Sequence, residues 1–254
     1  MSILTQRFRA LRTSKLGRAM ITVLSLAADD PVFAAWLDAL TTRALRDLTF
    51  PEVARALRSL SAAYVEQRQR LREGRALSGE GKRAAFALFY GPLHYLLIRE
   101  IVAALPRATE RAGRLVDLGC GTGTSGAAWA RQFGPRMKVV GIDRHPWAVD
   151  EARRTYNAFG LDAGTNRADL STSAWPKPPA LMLAAFAINE LDEPGRDRVL
   201  TRLLKRATEG DRVLIVEPLA GFVAPWWSRW RDRFAAVGGR TDEWRFKIEL
   251  PRQY

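Results

Sequence analysis

Three glycines at alternate positions, Gly119, Gly121 and Gly123, follow the apolar run Arg114-Leu-Val-Asp-Leu118, and this junction constrains the fold more than any other feature. A short apolar run that ends in glycines and opens into a helical pattern is a strand–turn–helix unit. Glycines there allow a tight turn and let a ligand approach the backbone closely. The helix that follows, from about Gly123 to Phe133, offers free N–H groups to an anion at its start. Comparable units recur downstream. Lys138–Asp143 is a second apolar run ending in an acid, Pro146 opens a helix to about Phe159, and a weak strand lies near Thr165–Ala168. Leu181–Ala187 is fully apolar, Pro194 opens a helix to about Thr208, and Arg212–Glu217 is the next strand. Pro225–Val237 reads as helix, and Trp244–Leu250 alternates like a strand. Repeated strand–helix units predict an α/β fold, a Rossmann-like doubly wound parallel sheet with ligands along the carboxyl ends of its strands.

Ahead of this region the pattern is helical. The spacing predicts a helical N-terminal domain at residues 1–106 and the sheet domain at 107–254. A first helix is expected from about Thr5 to Ala27. Asp30-Pro31 starts a second, carrying Val32, Phe33, Trp36, Leu37 and Leu40 at helical spacing, and Pro51 starts a third. A further helix runs from about Lys82 to Leu105, broken near Gly91-Pro92. No run approaches the roughly 18 apolar residues of a membrane helix, so no membrane partner is expected.

The net charge is +13. Such a surface favours polyanions such as RNA, although a genome rich in arginine codons gives the same balance. The first 18 residues hold Arg7, Arg9, Arg12, Lys15 and Arg18 and no acid, which suits a transit peptide, a basic helix face or an arm on RNA. The accompanying Ile3, Phe8 and Leu11 favour the helix or the arm. Cys120 is the single cysteine, so neither an internal disulfide nor a cysteine-built metal cage can form. That fits a reducing compartment, and a cytoplasmic location is expected. No metal-ligand constellation is seen.

Two acids frame the glycine loop. Asp117, two residues before Gly119, is placed to face the ammonium side of a ligand; Asp143, 20 residues after Gly123, to accept bonds from ribose hydroxyls. The second feature also belongs to NAD sites, and Gly121-x-Gly123-x-x-Gly126 formally matches the dinucleotide pattern. The larger constellation is more telling. Asp117-x-Gly119-x-Gly121-x-Gly123 resembles motif I of the class I S-adenosylmethionine-dependent methyltransferases, and Gly141-Ile-Asp143 resembles their ribose-binding motif. Arg167-Ala-Asp169-Leu170 resembles their adenine-binding segment, and Phe186-Ala-Ile-Asn189-Glu190-Leu191 follows the fourth strand, where that family places its active site. The resemblance implies S-adenosylmethionine as cofactor. It is carried by Asp117, Gly119, Cys120, Gly121 and Gly123 in the loop, Asp143 and Arg144 at the ribose, and Asp169 and Leu170 at the adenine. Asn189 and Glu190 are the candidate catalytic residues: Asn189 bonds an acceptor or the cofactor, and Glu190 orients an acceptor or serves as base. Alternatively, Glu190 caps the next helix and Asn189 satisfies loop backbone.

A narrower likeness joins Asn189-Glu190-Leu191, the arginine-rich helix after it and Val216-Glu217-Pro218. These are similar to a ribosomal small-subunit methyltransferase-like family of mitochondria and bacteria, which implies ribosomal RNA or the small subunit as partner. Typical members hold an iron–sulfur centre on a cysteine cluster, which a chain with Cys120 alone lacks. The expected function is methylation of RNA. Two alternatives stay open: a ribosome-assembly protein without transfer activity, and a small-molecule methyltransferase with the N-terminal helices as a lid. Trp226, Trp227 and Trp230, interleaved with Arg229, Arg231 and Arg233, either stack bases or pack the core, and core packing is preferred. His94 follows Tyr90 at i+4 and is expected to pack with it; His145 is read as a solvated turn residue. A class I sheet ends in an antiparallel strand that nothing after Pro251 can form, so it is lacking, supplied by another segment, or beyond this sequence.

Overall fold

The computed structural model of the chain describes residues 3–12, 20–24, 30–66, 77–105, 113–134, 136–218 and 224–249. Two strands come first, β1 (Ile3–Arg12) and β2 (Met20–Leu24). Helix α1 (Pro31–Ala44) starts where Asp30 Oδ1 accepts the Phe33 N–H at 3.0 Å and Pro31 takes the first turn. Helix α2 (Phe50–Glu66) follows, then α3 (Glu80–Ala85), a π-helical turn (Phe86–Tyr90) and α4 (Gly91–Ala103) as one continuous helical stretch. The wide turn sits directly before Gly91-Pro92, because Pro92 has no N–H to continue the regular ladder. By length and composition this stretch is sufficient to cross a membrane, contrary to the expectation from sequence, yet 67% of its most apolar window is buried inside the protein. It is the central helix of the apolar core, with Tyr95, Leu96, Leu97, Ile98 and Ile101 at most 1% exposed.

The alternating half begins with β3 (Arg114–Leu118) and α5 (Thr124–Ala130). Strand β4 (Lys138–Asp143), helix α6 (Pro146–Ala158) and β5 (Asp162–Arg167) complete one side of the sheet. The chain then crosses to β6 (Leu181–Ala185), a 3-10 turn (Ile188–Glu190), α7 (Glu193–Thr208) and β7 (Arg212–Pro218). Helix α8 (Trp227–Ala235) and β8 (Arg240–Glu249) come last. The sheet order is β2-β8-β1-β7-β6-β3-β4-β5, and β7, β6, β3, β4 and β5 form a parallel core. Every residue of β6 is buried, as its unbroken apolar run requires between two helical layers. Strand order reverses between β3 and β6, and such a switch point opens a crevice at the carboxyl ends of the two strands.

One expectation fails. The segment expected as a helix from Thr5 to Ala27 forms β1 and β2 within its described part, while residues 13–19 and 25–29 lie outside the described residues. The pattern Gln6-Arg7-Phe8-Arg9-Ala10 also alternates with period two, and the sheet edge decides between the periods. β1 runs antiparallel to β7, from Phe8 opposite Pro218 to Leu11 opposite Ile215, and antiparallel to β8 along its whole length. The antiparallel strand between β7 and β8 therefore comes from the amino-terminal segment.

Candidate functional site

Three segments meet at the switch point. The first is the glycine loop, pinned to the end of β4 by Gly119 N–H and Cys120 N–H, which both donate to the Ile142 carbonyl at 2.8 and 3.0 Å. Gly119, at φ +71°, passes so close to the β6 exit that a Cβ there would lie 2.4 Å from the Ala187 Cβ. A Cβ on Gly121 would meet only the Phe86 ring, at 3.7 Å, so this part of the loop keeps an open face beneath the π-helical turn. The Cys120 thiol is buried, close to Gly141 and Tyr156, and burial together with the Asp143 and Asp117 charges pushes it up.

Asp143, at the end of β4, ties the loop to the next turn. Its Oδ2 accepts the Gly121 N–H at 3.0 Å and its Oδ1 the His145 N–H at 2.8 Å. His145 is half-buried at this turn, and its Nδ1 is buried without a hydrogen-bond partner. Burial lowers the imidazole's pKa; Asp143 opposes this, and the charges of Arg83, Arg144 and Arg167 add to it.

Asp117 is placed otherwise than expected. Its Oδ2 points into the protein, accepting the Gly126 N–H at 3.1 Å and the Tyr156 hydroxyl at 2.9 Å. Burial pushes its carboxyl up to about 7 against the lowering effect of those two bonds, and Asp143 adds to the rise. The third glycine of the formal dinucleotide pattern is explained by this bond, since a Cβ on Gly126 would sit 2.4 Å from that oxygen. Tyr156, which the sequence reading overlooked, is the post under the loop. Its signal was present in Val149, Ala152 and Tyr156, which recur at helical spacing and are all buried on α6.

The second segment follows β6. Phe186 holds a left-handed φ of 59°, rare for a bulky residue, and its N–H donates to the Val216 carbonyl at 2.8 Å. Its ring stacks on His94, with centroids 3.8 Å apart and planes 18° from parallel. Tyr90 lies further from His94, at 5.8 Å, so the partner that matters is the β6 exit rather than the helical neighbour. Enclosure pushes the His94 imidazole down to about 3, leaving it neutral at physiological pH.

Asn189 and Glu190 follow. Asn189 Nδ2 donates to Glu217 Oε2 at 2.8 Å, and its Oδ1 accepts the Trp226 indole N–H at 2.9 Å. Glu217, at the end of β7, is completely buried and also accepts the Ile188 N–H at 2.7 Å. Burial pushes this carboxyl up to about 8 against the hydrogen bonds from Ile188 and Asn189, and the Glu190 charge contributes. The Asn189 amide is thus held by side chains rather than serving loop backbone. Glu190 pairs with Arg144 at 3.9 Å, which brings together a candidate catalytic residue and a candidate cofactor residue.

The third segment follows β5. Asp169 Oδ1 accepts both the N–H and the hydroxyl of Ser171, at 2.7 and 2.6 Å. Burial alone would raise this carboxyl, but those bonds and the Arg144 and Arg198 charges hold it below the usual range. Leu170 is buried beside Gly119. The tryptophans of α8 face inward: Trp226, Trp227 and Trp230 are buried while Arg229, Arg231 and Arg233 are exposed, so these rings present no face to a base.

Residues 115–210 match a family described as a methyltransferase domain. The trans-aconitate 2-methyltransferase of Pseudomonas aeruginosa is 31% identical over 119 residues, 47% of this chain and 37% of that protein. The ribosomal RNA small subunit methyltransferase C of Stutzerimonas stutzeri is 45% identical over 51 residues, 20% of this chain and 15% of that protein. The chain therefore spans well under half the length of these relatives. The structure of the mitomycin 7-O-methyltransferase shares the fold over 84% of this chain and 72% of that one, with a TM-score of 0.51 and 17% identity. Sheet order and glycine loop agree with the match of residues 115–210 to a methyltransferase domain.

Proposed function

We propose that this protein transfers a methyl group from S-adenosylmethionine to RNA. The observation that carries the cofactor half is the Gly119–Gly123 loop tied to Asp143 at the switch point. The residues fit the group. A carboxylate offers about four lone-pair sites, and the two backbone bonds to Asp143 leave capacity for ribose hydroxyls. The open face at Gly121 admits a ligand against the backbone, and the partnerless His145 Nδ1 lies beside the same turn. Bound there, the cofactor supplies an electrophilic methyl on a sulfonium. Asp143 holds the ribose, Asp169 and Leu170 hold the adenine, and the backbone of Gly119, Cys120, Gly121 and Gly123 forms the floor. Asp117 acts from behind, through Gly126 and Tyr156, to keep that floor in shape. Asn189 is clamped by Glu217 and Trp226 just after the β6 exit, with Glu190 beside it on Arg144. Transfer between two held groups needs chiefly positioning and exclusion of water.

The net charge of +13 and the likeness to a ribosomal RNA methyltransferase support an RNA acceptor, with ribosomal RNA as the substrate to test first. A second reading, a small-molecule acceptor, draws on the longer alignment with trans-aconitate 2-methyltransferase and on the aromatic wall of Tyr90, His94 and Phe186. Incubation with labelled S-adenosylmethionine and either total RNA or a panel of small carboxylic acids separates the two. Label in RNA is expected. Label only in the acids supports the second reading, and cofactor binding with no transfer to either supports an assembly role without catalysis.

A further inference from the structure

A cleft of about 430 Å³ opens between the end of α1, the start of α3 and helix α6. Arg43, Arg46, Arg83 and Arg154 line it, with Trp147 and Glu151. We propose that this cleft holds the phosphodiester backbone of a single RNA strand with a base against Trp147. The proposal rests on the RNA reading above and adds the surface on which the strand lies.

The charges of the cleft are unequal in availability. Glu151 is buried and its carboxylate is bonded by Arg43, so that pair is neutral within the wall. Arg154 approaches the same carboxylate at 3.7 Å but keeps 59% of its side chain exposed. Arg46 is exposed, just beyond the carboxyl end of α1. Arg83 donates its Nε to the Leu77 carbonyl at 3.0 Å, which orients the guanidinium without neutralising it. The other acids of the cleft, Asp47 and Glu80, are exposed, so the lining carries four arginines against three carboxylates. Planar guanidinium groups suit phosphate oxygens, and the half-buried Trp147 indole among them supplies an aromatic ring for a base.

The cleft also leads to the candidate site. Trp147 lies 6.2 Å from the His145 ring and 6.3 Å from the Phe86 ring that roofs Gly121. Arg83, which lines the cleft, acts together with Arg144 and Arg167 on His145, so positive potential continues from the cleft to the Asp143 turn. A strand lying along the arginines passes Trp147 and reaches the ligand crevice.

The test is binding of a labelled single-stranded oligoribonucleotide by fluorescence anisotropy over a range of salt. It compares the full chain with the double variant Arg46→Glu, Arg154→Glu. A second double variant, Arg231→Glu with Arg233→Glu on the exposed face of α8, changes net charge by the same amount. Binding of S-adenosylhomocysteine, measured in parallel, reports that each variant is folded. The slope of log affinity against log salt should become shallower by about 1.4 in the cleft variant, at about 0.7 per lost phosphate contact. Affinity at low salt should fall at least tenfold, and the α8 variant should stay within about threefold of the native chain. Equal losses in both variants, or none in the cleft variant, would overturn the cleft while leaving the RNA reading in place. A native chain that binds no RNA overturns both. If the cleft variant fails to bind S-adenosylhomocysteine, Arg46→Gln with Arg154→Gln removes the charges without reversing them and is held to the same slope criterion.

Discussion

Asp117 and Glu217 lie on the two strands that flank β6, and both are buried carboxyls that hold protons more tightly in the folded chain than in the unfolded one. Between about pH 4 and their folded values of about 7 and 8, the native state binds the extra protons. Stability should therefore fall as pH rises through this window, by at most about 1.4 kcal/mol per pH unit for each proton. Denaturant midpoints measured across the window check this, and Glu217→Gln should flatten the alkaline end of the slope. Stability that rises with pH there would show that both groups are ionised throughout. A second expectation concerns Gly126→Ala, whose Cβ would press on the Asp117 oxygen 2.4 Å away and cost about 1–3 kcal/mol in chemical denaturation. At this scale the sequence was informative about backbone and less so about direction. The alternate glycines and Asp143 were legible because a tight turn and a strand-end acid leave a spacing. Whether the Asp117 carboxylate faces a ligand or the helix behind it leaves none, and Tyr156, the partner that decides it, lies 39 residues away in sequence.

Among the elements, α8 and β1 show how periodicity succeeds and fails. The α8 tryptophans repeat at helical spacing and the structure buries them, with Trp230 at 0% exposure. Trp230→Ala should therefore cost about 3–5 kcal/mol of stability. Arg231→Glu and Arg233→Glu on the opposite face should each stay within about 0.5 kcal/mol, both by chemical denaturation. Losses of similar size on the two faces would contradict this packing. In β1 the apolar residues fitted a helix and a strand alike, and a distant partner chose, because unpaired backbone at the β7 edge is satisfied by a strand and not by a helix. The helices of the amino-terminal half are fastened by a polar contact as well as by apolar packing. Tyr95 on α4 donates its hydroxyl to Asp30 Oδ2 at 2.8 Å, and Arg131, just after α5, bonds both residues. Tyr95→Phe leaves the ring stack on Phe33 intact but removes that hydroxyl, and should cost about 1.5–3 kcal/mol in thermal or chemical denaturation.

For the molecule as a whole, the reversal of strand order between β3 and β6 brings the glycine loop, the Asp143 turn and the Asn189 segment to one crevice. The long helical stretch from Glu80 to Ala103 lies over that crevice through Phe86 and His94. The crevice was legible in the order of strand and helix patterns. Its roof was not, because the stacking of His94 on Phe186 joins elements more than 90 residues apart that share no motif. Function as proposed requires that this crevice bind S-adenosylmethionine with Asp143 as its ribose contact. Calorimetric titration of the full chain with S-adenosylmethionine, against NAD and against Asp143→Ala, tests it most directly. Saturable binding of S-adenosylmethionine is expected, with no binding of NAD and a loss of about tenfold or more in the variant, the scale of one charge-assisted hydrogen-bonded contact. Absence of binding at millimolar ligand, or equal affinity in Asp143→Ala, would contradict it.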